Sequence, residues 1–98
     1  MTRREALRRL TRSRDKLREH AVRHISLFGS TSRDQATPQS DVDLLVEFDP
    51  DANVGLFDFV GLLDHLSDVM DTRIDLATPD ALRPEMRAEI IAEAIRAF

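Results

Sequence analysis

The stretch from residue 29 to residue 46 constrains the fold more than any other part of the chain. It joins two apolar runs, residues 25–28 and 42–48, through a turn that begins with Gly29 and Ser30. A strand over the second run places Val42, Leu44, Val46 and Phe48 on one face, and Asp41, Asp43, Leu45 and Glu47 on the other. Strands with one apolar face bury it against helices, which indicates a mixed α/β fold.

The other periodicities and turn signals predict the remaining elements. In chain order the prediction is helix 2–20, strand 21–28, short helix 30–36, strand 42–48, helix 56–70, strand 73–77 and helix 84–97. Thr2 caps the first helix, which is expected at the surface. The last helix has an apolar stripe of Met86, Ile90, Ile91, Ala94 and Ile95. The fold class is therefore α/β (α+β mixed), with a small mixed sheet of about three strands and helices packed on it, in one domain over residues 1–98.

Composition excludes several classes of protein. The chain is 42% hydrophobic and 33% charged, as expected of a soluble globular fold. It has no cysteine, which excludes disulfides, thiolate nucleophiles and zinc–thiolate sites. No apolar stretch approaches the roughly 20 residues of a membrane span, and no apolar segment follows the charged N-terminus. We therefore expect a cytoplasmic protein without a membrane segment.

The charges are distributed unevenly along the chain. Residues 1–24 hold nine Lys/Arg and three Asp/Glu, a net charge of +6, whereas residues 25–98 hold five and fifteen, a net charge of −10. A basic arm on an acidic body could bind nucleic acid or an acidic partner. No aromatic residues lie between the arginines to stack on bases, so a solvated helix face is favoured and direct nucleic-acid binding is not expected.

Three aspartates and the Gly-Ser turn indicate phosphate chemistry. Asp41 and Asp43 share a strand face about 6.6–6.8 Å apart at Cα, and Asp75 lies on the polar face of another strand. If those strands are neighbours, three carboxylates converge beside a turn whose backbone N–H groups can hold phosphate. Carboxylate oxygens are the ligands that Mg²⁺ prefers, and two ions about 3.5–4 Å apart would suit the set. The pattern favours transfer of a nucleotidyl group from a nucleoside triphosphate.

These motifs together are similar to those of a known family. Gly29-Ser30, Arg33, Ala36 and the run of residues 40–46 resemble the signature of the minimal nucleotidyltransferases, in the DNA polymerase β-like superfamily. Residues 73–82 resemble the family's third-carboxylate strand and the loop after it, and the resemblance covers residues 22–96. It implies that Asp41, Asp43 and Asp75 are catalytic and bind Mg²⁺. It also implies that Gly29, Ser30 and Arg33 bind ATP.

The resemblance implies a partner as well. Such proteins are commonly antitoxins that transfer AMP from ATP to a tyrosine of a HEPN-domain ribonuclease toxin. This chain departs from the pattern at Ser32, where the family usually has Ala, and at Asp34, where it usually has Gly. An acidic residue in the phosphate loop motivates an alternative, in which an inactive chain neutralises the toxin by binding alone. A homodimer and a hetero-oligomer with the toxin both stay open.

Some side chains allow two interpretations. Arg33 either contacts phosphate or pairs with an acidic side chain that holds the loop. His20, His24 and His65 lack a mutual metal-ligand spacing, so surface positions are expected for all three. The region of Phe57 and Phe59 is expected in the core or in a partner interface rather than in a base-stacking site.

Overall fold

Four strands and five α-helices make up the chain, of which the computed structural model describes residues 1–98. They are α1 (Arg3–Arg12), α2 (Arg14–Glu19), β1 (Val22–Phe28), α3 (Gly29–Ser32), β2 (Val42–Phe48), α4 (Leu56–Met70), β3 (Ile74–Ala77), a 3₁₀ turn (Pro79–Ala81), α5 (Pro84–Glu93) and β4 (Ile95–Arg96). The α/β mixed fold class is confirmed. No helix has both the length and the apolar character needed to cross a membrane.

The four strands form one mixed sheet in the order β3-β2-β1-β4. β1 is antiparallel to both β2 and β4. β2 and β3 are parallel, and α4 supplies the crossover that a parallel pair requires. The polar ends of these two strands are therefore brought to the same edge of the sheet.

The core lies between one face of the sheet and helices α1, α2 and α4. It is a cluster of twelve buried side chains: Ala6, Leu10, Leu17, Val22, Ile25, Leu27, Val42, Leu44, Val46, Leu62, Leu66 and Met70. The alternation read along β2 is confirmed, because Val42, Leu44 and Val46 are all buried. That residues 1–98 form a single domain stays a prediction.

The N-terminal helix differs from the prediction in being divided at Ser13. This residue ends α1 and precedes α2, with its N–H directed at the Arg9 and Leu10 carbonyls at 3.2 and 3.1 Å. Most residues of both helices are exposed or partly exposed, so the helices lie on the surface as expected, with Leu10 and Leu17 packed into the core. The cap is confirmed, since the Thr2 hydroxyl accepts a hydrogen bond from the Glu5 N–H at 3.1 Å.

The end of the chain also differs from the prediction. The last helix stops at Glu93, and residues 95–96 pair with β1 as a fourth strand. No residue of α5 is buried, and Met86 and Ile91 are each 48% exposed. The predicted apolar stripe is therefore not part of the core, and helical periodicity alone does not show whether a partner surface exists.

The expectation that the histidines lie at the surface is also wrong. His20 and His65 stack with their ring centroids 5.3 Å apart. All three rings are partly buried, and a buried ring nitrogen of His24 and of His65 has no hydrogen-bond partner. The stacking of His20 on His65 joins residues that are distant along the chain, which the spacing of the histidines could not reveal.

Candidate active site

Asp43 and Asp75 lie side by side on neighbouring strands. β2 and β3 pair in a register that sets Asp43 opposite Asp75, with Val42 opposite Ile74. Since the apolar residues of both strands face the core, the two carboxylates point to the opposite face of the sheet. The predicted meeting of these two aspartates follows directly from the strand pairing.

Gly29 brings the turn after β1 against the same carboxylate. Phe28, the last residue of β1, is the register partner of Asp43. Gly29 has a φ of +72°, in the left-handed region that favours glycine. A Cβ at this position would overlap Oδ2 of Asp43, so no other residue lets the backbone pass this close. The turn that could hold phosphate therefore packs directly on a candidate metal ligand.

The environment of Asp43 concentrates negative charge. Burial raises the pKa of Asp43 to about 6, and the Asp75 carboxylate adds to the rise through its charge and through side-chain hydrogen bonding. Asp41 contributes a smaller rise through its charge, whereas the Arg33 guanidinium lowers the pKa. The carboxylates of Asp41, Asp43 and Asp75, which together form the carboxylate edge of the sheet, thus interact with one another. A bound cation would relieve their repulsion.

Asp41 is held by a cation from its own chain. The Nε of Arg73 lies 3.1 Å from Oδ1 of Asp41, and the Nη2 of Arg73 donates to the Gln39 carbonyl at 3.3 Å. Arg73 directly precedes β3, and its carbonyl accepts a hydrogen bond from the Val42 N–H at 3.0 Å. These contacts fix the end of the loop before β2 against β3.

The turn after Gly29 is a single helical turn, α3, rather than the predicted helix over residues 30–36. Its second residue, Ser30, accepts through its carbonyl from the Gln35 N–H at 2.8 Å. Ser32 is buried, and its hydroxyl donates to the Gly29 carbonyl at 2.7 Å. A hydroxyl at this position, where the family pattern has Ala, therefore adds a contact that holds the turn.

Arg33 pairs with an acidic side chain, as one of its two sequence interpretations proposed. Its Nη1 donates to the Glu93 carboxylate of α5, and its Nε donates to Oε1 of Gln35 at 3.2 Å. The guanidinium is still close enough to Asp43 to lower that pKa. Arg33 thus lies between the carboxylate edge and α5.

Asp34 points away from the carboxylates. With a φ of 56°, its side chain turns toward α1, and Oδ1 accepts a hydrogen bond from the Arg3 N–H at 2.7 Å. A carboxylate at the start of a helix satisfies a backbone N–H that has no partner inside the helix. The residue that motivated the inactive alternative therefore has a structural contact of its own.

Arg73 and Glu93 are contact residues that the sequence reasoning missed. Arg73 stands two residues before Asp75, and an i, i+2 spacing in an extended segment is a signal that could have placed both on one face. Glu93 is 60 positions from Arg33, and no local pattern links them. Long-range ion pairs of this kind depend on how α5 sits against the turn.

The side chains around Asp43 determine how well the site fits a divalent cation. No three of the chain's histidine, aspartate and glutamate side chains are arranged as a ready set of metal ligands, and Asp41 forms an ion pair with Arg73. Asp43 and Asp75 nevertheless offer adjacent carboxylates, and the charge of Asp75 adds to the burial that raises the pKa of Asp43. Such hard oxygen donors are the ligands that Mg²⁺ prefers.

Comparison with known proteins agrees with this geometry. The model of the nucleotidyltransferase domain family matches residues 7–97. The protein adenylyltransferase MntA of Thermococcus cleftensis is 33% identical over 87 residues, which cover 88% of this chain and 86% of that protein. A solved structure described as a candidate minimal nucleotidyltransferase superposes with a TM-score of 0.80 and 31% identity, covering 97% of this chain and 95% of that one.

A more distant structure shows the fold alone. It is a complex of a tri-AMPylated Shewanella oneidensis HEPN toxin with an MNT antitoxin, matched with a TM-score of 0.64 and 18% identity. The match covers 94% of this chain and 71% of that chain. The family recognised from the Gly-Ser and Asp-x-Asp motifs is thus confirmed by the family model, a sequence relative and a solved structure, and the chain belongs to the nucleotidyltransferase domain family.

Proposed function

We propose that this chain is a Mg²⁺-dependent protein adenylyltransferase that moves AMP from ATP to a tyrosine of a HEPN-domain ribonuclease toxin, and so acts as its antitoxin. The observation that carries the proposal is the pairing of Asp43 with Asp75 beside the Gly29 turn. The relative MntA is named a protein adenylyltransferase. The HEPN toxin in the complex with the MNT antitoxin, which shares this fold, is tri-AMPylated.

The phosphates of ATP are assigned to the turn after β1. Gly29 begins this turn with a left-handed φ that glycine adopts readily, and backbone N–H groups in such turns bind phosphate oxygens well. The Ser30 hydroxyl is the nearest side-chain donor along this turn, and the Arg33 cation lies at its far end. The turn thus binds and orients the triphosphate beside Asp43.

Asp41, Asp43 and Asp75 are the residues that would hold Mg²⁺, in the two-ion form that the sequence suggests. When bound, the metal supplies neutralisation of triphosphate charge and activation of an acceptor hydroxyl. Asp75 lies on the more exposed side of the pair, where its carboxylate can accept the hydrogen bond of the incoming hydroxyl. That contact orients the acceptor oxygen toward the α-phosphorus.

Transfer then follows an in-line displacement. The acceptor oxygen forms a bond to the α-phosphorus while the bond from that phosphorus to the β-phosphate bridging oxygen breaks. Pyrophosphate leaves, and the acceptor proton passes to the carboxylate edge and then to water. Positioning and charge stabilisation carry most of the rate in this type of reaction.

The contact made by Asp34 supports an active enzyme over the neutraliser that acts by binding alone. The interpretation of an inactive chain depends on an acidic side chain aimed at the triphosphate. In the structure that carboxylate accepts from the Arg3 N–H instead. The partner, the use of ATP and the cytoplasmic location remain parts of the proposal.

The test is transfer of label from α-³²P-ATP to the toxin encoded beside this chain, in the presence of Mg²⁺. We expect Asp43→Asn to reduce labelling by about 10²–10³-fold, the size of effect seen when a preorganised charge-stabilising group is removed. Glu47→Gln is the matched control, because Glu47 is exposed further along β2. No label with the unaltered chain, or equal label with Asp43→Asn, would refute the proposal.

A further inference from the structure

α5 is a helix with an apolar side that the core does not use. None of its residues is buried, although Met86, Ile90 and Ile91 are large and apolar. Burial of apolar surface is the main reason that surface helices pack on a domain. The position of α5 is instead fixed in part by the ion pair between Arg33 and Glu93.

A cavity of about 240 Å³ separates α5 from the turn after β1. Its lining consists of Phe28, Gly29, Arg33, Met86, Glu89, Ile90 and Glu93. Gly29 and Arg33 are two of the three residues that the sequence assigns to nucleotide binding. Phe28 is the register partner of Asp43, so the cavity begins where the carboxylate edge ends.

The residues that line the cavity determine which chemical groups of a ligand can bind in it. Phe28, Met86 and Ile90 supply apolar walls, which suit a flat ring. Glu89 and Glu93 outnumber the single cation, Arg33, so the lining has a net negative charge that disfavours phosphate groups. The same carboxylates can accept hydrogen bonds from amino or hydroxyl groups on a ligand.

We propose that this cavity between the Gly29 turn and α5 seats the nucleoside half of the substrate nucleotide. The inference rests on the proposed nucleotidyl transfer. The phosphates occupy the turn, and the base packs against Met86 and Ile90 while Glu89 and Glu93 accept hydrogen bonds from its donors or from the ribose. α5 is thereby a ligand-binding helix, which accounts for Met86 and Ile90 facing the cavity rather than the core.

The experiment compares two ligands that differ only in the nucleoside. Calorimetry on the full chain with Mg²⁺ measures the affinity for ATP and for inorganic tripolyphosphate. Ile90→Trp fills the cavity, whereas Ile91→Trp places the same ring on α5 at a residue that does not line it and is 48% exposed. Since no α5 residue is buried, neither change removes a core contact.

We expect Ile90→Trp to weaken ATP binding by at least about tenfold, the order of magnitude of one base-stacking contact. Its affinity for tripolyphosphate, and both affinities of Ile91→Trp, should match the unaltered chain. Unchanged ATP binding by Ile90→Trp overturns the inference, even if labelling of the toxin falls, because the cavity then seats an acceptor ring. An equal loss for both ligands also overturns it. Failure of the unaltered chain to bind either ligand refutes the proposed function itself.

Discussion

Gly29→Ala tests the geometry of the site through stability. An alanine at φ +72° pays the left-handed penalty of roughly 1–2 kcal/mol, and its Cβ must displace the Asp43 carboxylate. Overpacking of this kind adds about 1–3 kcal/mol. We therefore expect a total loss of about 2–5 kcal/mol in the free energy of unfolding, a large part of the stability of a domain this size.

Gly61→Ala is the matched control, and the expected effect has the opposite sign. Gly61 lies inside α4, and a Cβ there would meet no atom within 4 Å. Alanine should stabilise a helix interior by about 0.5–1 kcal/mol relative to glycine. The two variants make the same chemical change, so their difference isolates the φ of Gly29 and its approach to Asp43.

Urea unfolding followed by circular dichroism gives both free energies, provided that the slope against denaturant is unchanged. In thermal scans Gly29→Ala should lower Tm by at least about 8 °C, and Gly61→Ala should raise it by about 2–8 °C. A Gly29→Ala chain within about 0.5 kcal/mol of the unaltered protein, a margin typical of neutral surface changes, would refute the packing of the turn on Asp43.

Two further predictions concern the core and the pH dependence. Leu62→Ala, at a fully buried position, should lower the free energy of unfolding by about 2–5 kcal/mol. Phe57→Ala, at a side chain that is 91% exposed, should change it by no more than about 0.5 kcal/mol. Equal losses for the two variants in urea unfolding would contradict this difference in burial. Burial, followed by the positive charges of His20 and Lys16, lowers the pKa of His65 in the folded state. The unfolded chain therefore binds the His65 proton at a higher pH than the folded chain does. The contribution of neutral His65 to stability is fully present above the unfolded pKa of about 6.5 and is lost as the pH falls through the folded pKa. His65→Gln should flatten this loss between about pH 7.5 and 5.5, and an unchanged slope would contradict the assignment.

Strong local periodicity and motif spacing predicted part of the fold closely. The bounds of β2 and α4 agree with the expected residues 42–48 and 56–70, because a two-residue and a 3.6-residue apolar repeat each decide the element by themselves. The proximity of Asp43 and Asp75 was also predicted, on the condition that their strands are neighbours. The pairing of β2 with β3 meets that condition.

The rest depended on contacts that are distant along the chain. Residues 95–96 join the sheet because the edge of β1 offers unpaired hydrogen-bonding groups, which override the helical pattern of residues 84–97. Arg33 and Arg73 find their carboxylate partners only after α5 and β3 are in place. The role of Arg33 could therefore be framed only as two alternatives from the sequence, and the contact made by Arg73 was not predicted.

The crossover through α4 has a consequence for how the protein responds to ligands. It separates Asp43 from Asp75 along the chain, so their mutual repulsion is a cost of the folded state that the unfolded chain escapes. A cation that neutralises the pair binds the folded state alone and shifts the folding equilibrium toward it by mass action. A rise in the melting temperature of this chain therefore reports cation binding at the aspartate pair, and it can be measured without an activity assay and before the acceptor is known.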